Sequence, residues 1–385
     1  FSLGNYNLTF DALNRLASMK DPFNLTTSFT YTPLSSISTS TTPFSSTSYS
    51  YDNKNRLIQT NLETNNNVSY SYDEGDRLTT LTFPNSTFTT FTYDSNSKIT
   101  RELILKDPLN PISLYDLSFT YDNKGNITSY NINNETTTYS YDEKDQLISV
   151  IYPDNSTTIY SYDSKGNLIT EIKDSETVNY SYSNYKLISI LDSTSTKTLS
   201  YDTNGNIISI SDSLNGTKTF EYDYENRIKR ITLEDGRVIK YHYDPLDRLI
   251  KREINNISYL YHYLGRSKLL YSITDINNNP IIVFQYDSNG LPISLKYNGL
   301  RYYFHFNPHG DLISITDENG EIVSSFSYSP WGELIYINNP VDIPIPFLYL
   351  GMYGVIYDSD TNLYLMGKRW YSPILKRFIS KDPIL

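Results

Sequence analysis

A Tyr-Asp pair followed by a polar turn and an aliphatic residue returns about every twenty residues, and this period constrains the fold more than any other feature of the chain. It reads SYSYDNKNRL at Tyr51-Asp52, SYSYDEGDRL at Tyr72-Asp73 and FTYDSNSKI at Tyr93-Asp94. FTYDNKGNI at Tyr121-Asp122, YSYDEKDQL at Tyr141-Asp142 and YSYDSKGNL at Tyr162-Asp163 follow. The later copies are LSYDTNGNI at Tyr201-Asp202, EYDYENRI at Tyr222-Asp223, YHYDPLDRL at Tyr243-Asp244 and FQYDSNGLP at Tyr286-Asp287. Degenerate copies at Phe10, Tyr31, Tyr182, Tyr263, Phe306 and Tyr328 bring the anchors to sixteen, most of them 19 to 23 residues apart. The step from Tyr93 to Tyr121 is longer, and DPLNPIS, Asp107 to Ser113, is expected to be a loop insertion there. A regular period of this size indicates stacked supersecondary units in place of separate domains.

Each unit reads as a β-hairpin. Before the Asp, rings alternate (Tyr70 and Tyr72, Tyr139 and Tyr141, Tyr160 and Tyr162), which puts them on one face of a strand. The Asp carboxylate can accept backbone N–H groups in the turn. Gly125, Gly166 and Gly205 fall where a positive φ is expected. Leu or Ile then opens a second alternating strand, as in LISV at 147–150. One hairpin is marginal in water, whereas stacked hairpins bury the Tyr/Leu face and pair their edges. The expected fold class is therefore all-β, an array of about sixteen stacked hairpins. Tyr, with 38 copies, supports the same conclusion, because aromatic and β-branched residues favour strands.

Composition excludes several functions. No segment approaches the roughly 20 apolar residues of a membrane-spanning helix. A net charge of −11 argues against nucleic acid as the main partner, since phosphate contact needs a basic stripe. The absence of Cys excludes disulfides, thiolate zinc sites and a cysteine nucleophile. The four histidines, His242, His262, His305 and His309, form no metal-binding motif, so neither a metal nor a cofactor is expected. The Tyr stripes could offer a platform for glycans, but packing is the more common use of such rings. His305 and His309 have no nucleophile to pair with and read as structural. The chain begins at Phe1, as expected of a piece of a longer protein.

From residue 347 onward the pattern departs from the repeat. FLYLGMYGVIYDSDTNLYLMGKRWYSPILKRFISKDPIL carries two separated carboxylate clusters, Asp358 with Asp360 and then Asp382. Two carboxylates held close cannot both ionise easily, so one can serve as acid and the other as base. The alternative for each is a turn role, since Asp is a preferred turn residue.

The repeated YDxxGNL core resembles the YD-repeat, or Rhs, family over nearly the whole chain. The segment YYFHFNPHGDLISITDENGEIVSSFSYSPWGELI at 302–335 is similar to the stretch that precedes the core domain in that family, with Asn307 and Ser329 in place of Asp. The closing stretch resembles the Rhs-associated core signature at Tyr353-Gly354, Tyr357-Asp358, Leu363-Tyr364, Arg369-Trp370-Tyr371, Pro373, Arg377-Phe378 and Asp382-Pro383. It departs at Asn362, Lys376 and Leu385, where the family has Gly, and at Ser372, where it has Asp.

The resemblance implies a hairpin array over 1–335, wound as a spiral sheet that forms part of a hollow shell, and a closing core domain over 336–385. It implies that the shell encloses a toxin carried C-terminal to this chain. Release would be by aspartyl autoproteolysis just after DPIL, with Leu385 as the new end. The family pattern maps the acid–base pair onto Asp358 and Asp382. Asp360 is an alternate to Asp358 because the local motif is Asp-Ser-Asp, and Arg369 or Arg377 could hold a carboxylate ionised or stabilise the developing oxyanion. The implied partners are the toxin segment and further N-terminal shell repeats or a shell subunit, at a secreted or cell-surface location. A wall-associated adhesin that binds glycans or partners without catalysis shares the same repeat and stays open as the other reading.

Overall fold

A computed structural model describes residues 5–63 and 66–382. Among them there is no α-helix. Thirty-two strands make up the antiparallel hairpin sheet, two to each of sixteen hairpins, and four more form a separate sheet over Ile356–Phe378. The sixteen repeat anchors fall at or next to the end of a hairpin's first strand. Ser46–Tyr51, Asn67–Tyr72, Thr157–Tyr162 and Thr196–Tyr201 are examples. The expected hairpin array is what the chain forms.

The anchor Tyr does more than pack. A bulge displaces it from the regular register, between Ser50 and Tyr51 or Ser161 and Tyr162 for instance. This turns its phenol toward the preceding hairpin. The hydroxyl donates to the carbonyl of the residue that opens that hairpin's second strand. Tyr72 bonds Leu57 O at 2.7 Å, Tyr162 bonds Leu147 O at 2.8 Å and Tyr263 bonds Leu249 O at 2.8 Å. The Asp beside it closes the turn as expected. Asp163 Oδ1 accepts the N–H groups of Lys165 and Asn167, and its Oδ2 accepts Asn167 Nδ2. Where the fourth residue after Asp is Arg, the guanidinium pairs with the carboxylate and covers the next Tyr, as Arg56 does with Asp52 and Tyr72. Gly166, at φ 86°, takes the left-handed turn position, which Asn55 fills at φ 61° in another copy.

The expected insertion differs from a simple loop. Ile99–Lys106 and Ile112–Tyr121 are strands of 8 and 10 residues, so most of the added length extends the ladder. ITRELILK and ISLYDLSF alternate well enough to continue pairing, and only the turn after Lys106 lies outside the strands.

The contacts divide the chain into two compact units. The first comprises Phe1–Phe91, Ile104–Leu114 and Tyr241–Phe378. Within it, hairpins far apart in sequence pack together. Tyr6 donates to Asp244, His262 bonds Asp21, Gln285 Nε2 donates to Thr47 Oγ1, and Asn85 Nδ2 donates to Thr316 Oγ1, at separations of 231 to 241 residues. Tyr49, Leu57, Leu62, Val68, Tyr70, Leu81 and Phe83 share a core with Ile293 and Tyr303. The early hairpins are thus covered by late ones, a layering that the repeat period does not reveal.

The closing sheet belongs to this unit as well. Phe347 is buried against Phe284, with ring centroids 4.8 Å apart. Leu350 N donates to Asp311 Oδ1 at 2.9 Å, Tyr364 Oη to Gly332 O at 2.9 Å and Tyr371 Oη to Trp331 O at 3.1 Å. The second unit comprises Thr92–Leu103, Tyr115–Lys240 and Ile379–Leu385. In it, hairpins stack in sequence order, with Val150, Tyr160, Leu187 and Ile231 buried.

Candidate functional site

Asp358 ends the short strand Ile356–Asp358 and keeps part of the repeat's turn chemistry. Its Oδ1 accepts the N–H of Asp360 at 3.1 Å, and its carbonyl accepts the N–H of Asn362 at 2.9 Å. Asn362 has φ 57° and Lys376 φ 55°, so two positions where the family pattern has Gly do adopt left-handed backbone. Asn tolerates this better than Lys.

The rest of the carboxylate is held from the hairpin array. Arg252, in Leu249–Ile254, donates Nε to Asp358 Oδ2 at 2.7 Å and Nη2 to Oδ1 at 3.0 Å. Tyr241, in Val238–Tyr243, donates its hydroxyl to Oδ2 at 2.6 Å. Arg252 Nη2 also pairs with Asp360 Oδ2. The fork geometry of Arg suits two carboxylates at once. Asp358 is 6% exposed and Arg252 8%, while the Asp360 side chain is partly open. Burial, and then the Asp358 carboxylate, push the Tyr241 phenol well above its ordinary pKa, so it stays a donor. The guanidinium of Arg252 is raised as well. Desolvation lowers it, and the bonds and attraction of Asp358 outweigh that loss. Trp370 roofs the cluster, 4.8 Å from the Tyr241 ring, and donates Nε1–H to Tyr243 Oη at 2.9 Å.

The other expected residues are placed as follows. Arg369 lies over the Phe378 ring at 3.8 Å, and Arg377 pairs across the sheet with Ser372. Asp382 is in the second unit. There the residues before it are pinned to a repeat turn. Ile379 O accepts Ile207 N at 2.9 Å and Tyr222 Oη at 3.1 Å, and Lys381 N donates to Asn206 Oδ1 at 3.2 Å. Leu385 lies outside the described residues. The structure therefore brings Asp358 and Asp360 together on one guanidinium. Tyr241, Arg252 and Trp370 complete that cluster. Sequence reasoning missed Tyr241 and Arg252, since both sit inside ordinary repeat units.

His305 is buried, with Nε2 on Thr316 Oγ1 at 2.9 Å, and burial lowers its pKa to about 3. His309 Nδ1 lies 3.0 Å from Asp311 Oδ2. Burial lowers its pKa, but the Asp311 carboxylate outweighs this and the net shift is upward. No group of three or more potential metal ligands occurs among the described residues. No helix among them is long and apolar enough to cross a membrane.

An all-β array of tyrosine-anchored hairpins with a second sheet clamped against it defines a YD-type shell protein. The profile of the teneurin YD-shell family matches residues 7–105 and 102–384, and the chain belongs to that family. The tRNA nuclease WapA of Bacillus subtilis strain 168 is 30% identical over 225 residues, which cover 56% of this chain and 9% of that protein. The tRNA3(Ser)-specific nuclease WapA of Bacillus spizizenii is 30% identical over 46% of the chain and 8% of its own length. Teneurin-1 of Gallus gallus is 24% identical over 172 residues, 43% of this chain and 6% of that protein. The chain thus spans less than a tenth of each of these relatives. Among solved structures, a Photorhabdus luminescens Tc holotoxin pore superposes with a TM-score of 0.74 at 18% identity, over 100% of this chain and 21% of that one. The TcdB2-TccC3 crystal structure gives 0.69 at 17% identity, over 98% of this chain and 23% of that one. The likeness in structure establishes the shared fold.

Proposed function

We propose that this chain is the closing part of a YD-repeat shell, which encloses a toxin segment C-terminal to it and releases that segment by cutting its own chain after Asp382-Pro383-Ile384-Leu385. The observation that carries this reading is the clamp of Arg252 and Tyr241 on Asp358. It fixes the terminal sheet, and the motif carboxylate within it, to the strands Val238–Tyr243 and Leu249–Ile254 of the hairpin array. The layering of early on late hairpins supports a wall that winds over itself, which is how a shell encloses a volume. Relatives named as nucleases and toxin components support a toxin as cargo. A secreted or surface location fits the same relatives. The remaining wall would come from further N-terminal repeats or from a separate shell subunit.

In the cleavage step, one carboxylate takes a proton from water as the water oxygen bonds to the carbonyl carbon. The second carboxyl, protonated, gives its proton to the leaving amide nitrogen as the C–N bond breaks. Asp358 and Asp382 are the proposed pair. Asp360 shares Arg252 with Asp358 and is the more open of the two, so separate variants assign the role.

The test is expression with the native downstream sequence, read on a denaturing gel and by mass spectrometry of the new C-terminus. The expected result is a wild-type fragment ending at Leu385 and an uncut Asp382→Asn chain. An uncut wild type overturns autoproteolysis. Enclosure is then tested separately, by whether added protease leaves the downstream segment intact until the shell is unfolded. The Tyr stripes offer little to glycans, because Tyr49, Tyr70, Tyr160 and Tyr180 are buried.

A further inference from the structure

Asp287 is a repeat Asp in an unusual setting. Its Oδ1 accepts the N–H groups of Asn289 and Leu291 at 2.8 Å, as the turn requires. At the fourth position after it, however, stands Leu291, where other copies carry an Arg or Asn that bonds the second oxygen, and the side-chain partner of the carboxylate here is the neutral amide of Asn289. Its turn is also covered. Tyr49 reaches across from an early hairpin and donates to Tyr286 O at 3.1 Å, and Asp287 is 5% exposed. Every other Asp of this motif whose pKa moves is partly exposed and shifts downward, Asp52 and Asp163 among them.

We propose that the seam between the Asp287 turn and the early hairpins Ser46–Asn61 and Asn67–Thr82 is a pH-dependent latch, closed in acid and loosened toward neutral pH. The groups electrostatically coupled to the carboxylate across the seam are the phenols of Tyr49 and Tyr51 on one strand and Tyr70 and Tyr72 on the next. Burial raises all four, and Asp287 raises them further, so they stay neutral through the physiological range. The charges beyond them, Arg56 over the Tyr72 ring and Asp52, pair with each other. Burial pushes Asp287 up to about 6, against the turn N–H bonds that lower it.

The sign follows from linkage. A carboxyl with its pKa raised in the closed seam binds its proton more tightly there than when opened to water. The stabilisation is complete below the ordinary carboxyl value and is lost as pH rises through about 6. Opening of the seam is expected to become on the order of tenfold more frequent between pH 5 and pH 7.5.

The experiment is hydrogen exchange on the intact chain at those two pH values, corrected for intrinsic rates and read in 67–72 and 292–297. Wild type is expected to show the tenfold loss of protection at the higher pH, and Asp287→Asn to lose most of that difference. If Asp287→Asn keeps the wild-type pH dependence, the latch is overturned. Should that variant fold poorly, infrared difference spectra of the wild type decide. A protonated carboxyl band that disappears around pH 6 supports the latch, and a carboxylate already ionised at pH 5 overturns it.

Discussion

Arg252 and Asp358, 106 residues apart in sequence, meet in a two-point ion pair of 2.7 and 3.0 Å that is almost closed to solvent. Removing Arg252 leaves the Asp358 carboxylate buried without its cation, and removing Asp358 leaves the largely buried Arg252 with Asp360 alone. Arg252→Ala and Asp358→Ala are each expected to cost about 3–5 kcal/mol. The double variant Arg252→Met with Asp358→Leu is expected to cost less than the sum of the two. Urea unfolding followed by Trp370 fluorescence in a Trp331→Phe background reads both the cost and the loosening of the closing sheet.

The bond from each anchor phenol to the preceding hairpin is a separable contribution. Tyr162→Phe keeps the ring and removes only the donor to Leu147 O at 2.8 Å. The expected loss is about 1 kcal/mol, somewhat more if that carbonyl is left dry. Denaturant midpoints at unchanged m-value check it.

The turn carboxylates make the array sensitive to acid, in the sense opposite to Asp287. Asn167, through its side chain and then its backbone N–H, holds Asp163 below the usual carboxylate range, and the backbone and side chain of Arg56 do the same for Asp52. A lowered pKa in the folded state gives stability that is present above the ordinary value and lost as pH falls through the folded one. Strand circular dichroism is expected to hold at pH 5 and decay below about pH 4. Asp163→Asn is expected to be less stable than wild type at pH 7, with the gap closing in acid.

His305 is expected to stay neutral well below the ordinary histidine range, since burial lowers its pKa to about 3. The unfolded chain takes up that proton near the ordinary value of about 6.5, so stability falls as pH drops below it. Histidine NMR shifts followed from pH 8 to pH 4 check this. His305 is expected to show no titration over that range.

Most of the fold was legible because its determinants are local. Tyr162, Asp163, Gly166 and Leu168 lie within seven residues, and their alternation, turn bonding and positive φ need nothing from elsewhere. The bulge before each anchor Tyr and the target of its hydroxyl were not legible, because both depend on the neighbouring hairpin's register. The segment after Asp107 reads as a loop through its Pro and Asn, yet Ile112 and Ser113 belong to a strand once a partner ladder is available. In the candidate site, Asp358 and Asp360 stand out by motif. Tyr241 and Arg252 do not, because residues of those types recur throughout the repeats.

By itself the sequence determined sixteen hairpins and the turn that follows each anchor. Period-two alternation and Asp–Gly turn chemistry act over a few residues and are written there in full. Only the tertiary structure decided what each copy faces. Asp163 and Asp287 occupy the same place in the motif, yet one is solvated and the other lies under an early hairpin. Burial and charge pairing are set by residues 100 to 240 positions away, such as Arg252 for Asp358 and Tyr49 for the Asp287 turn, and no local pattern encodes that distance.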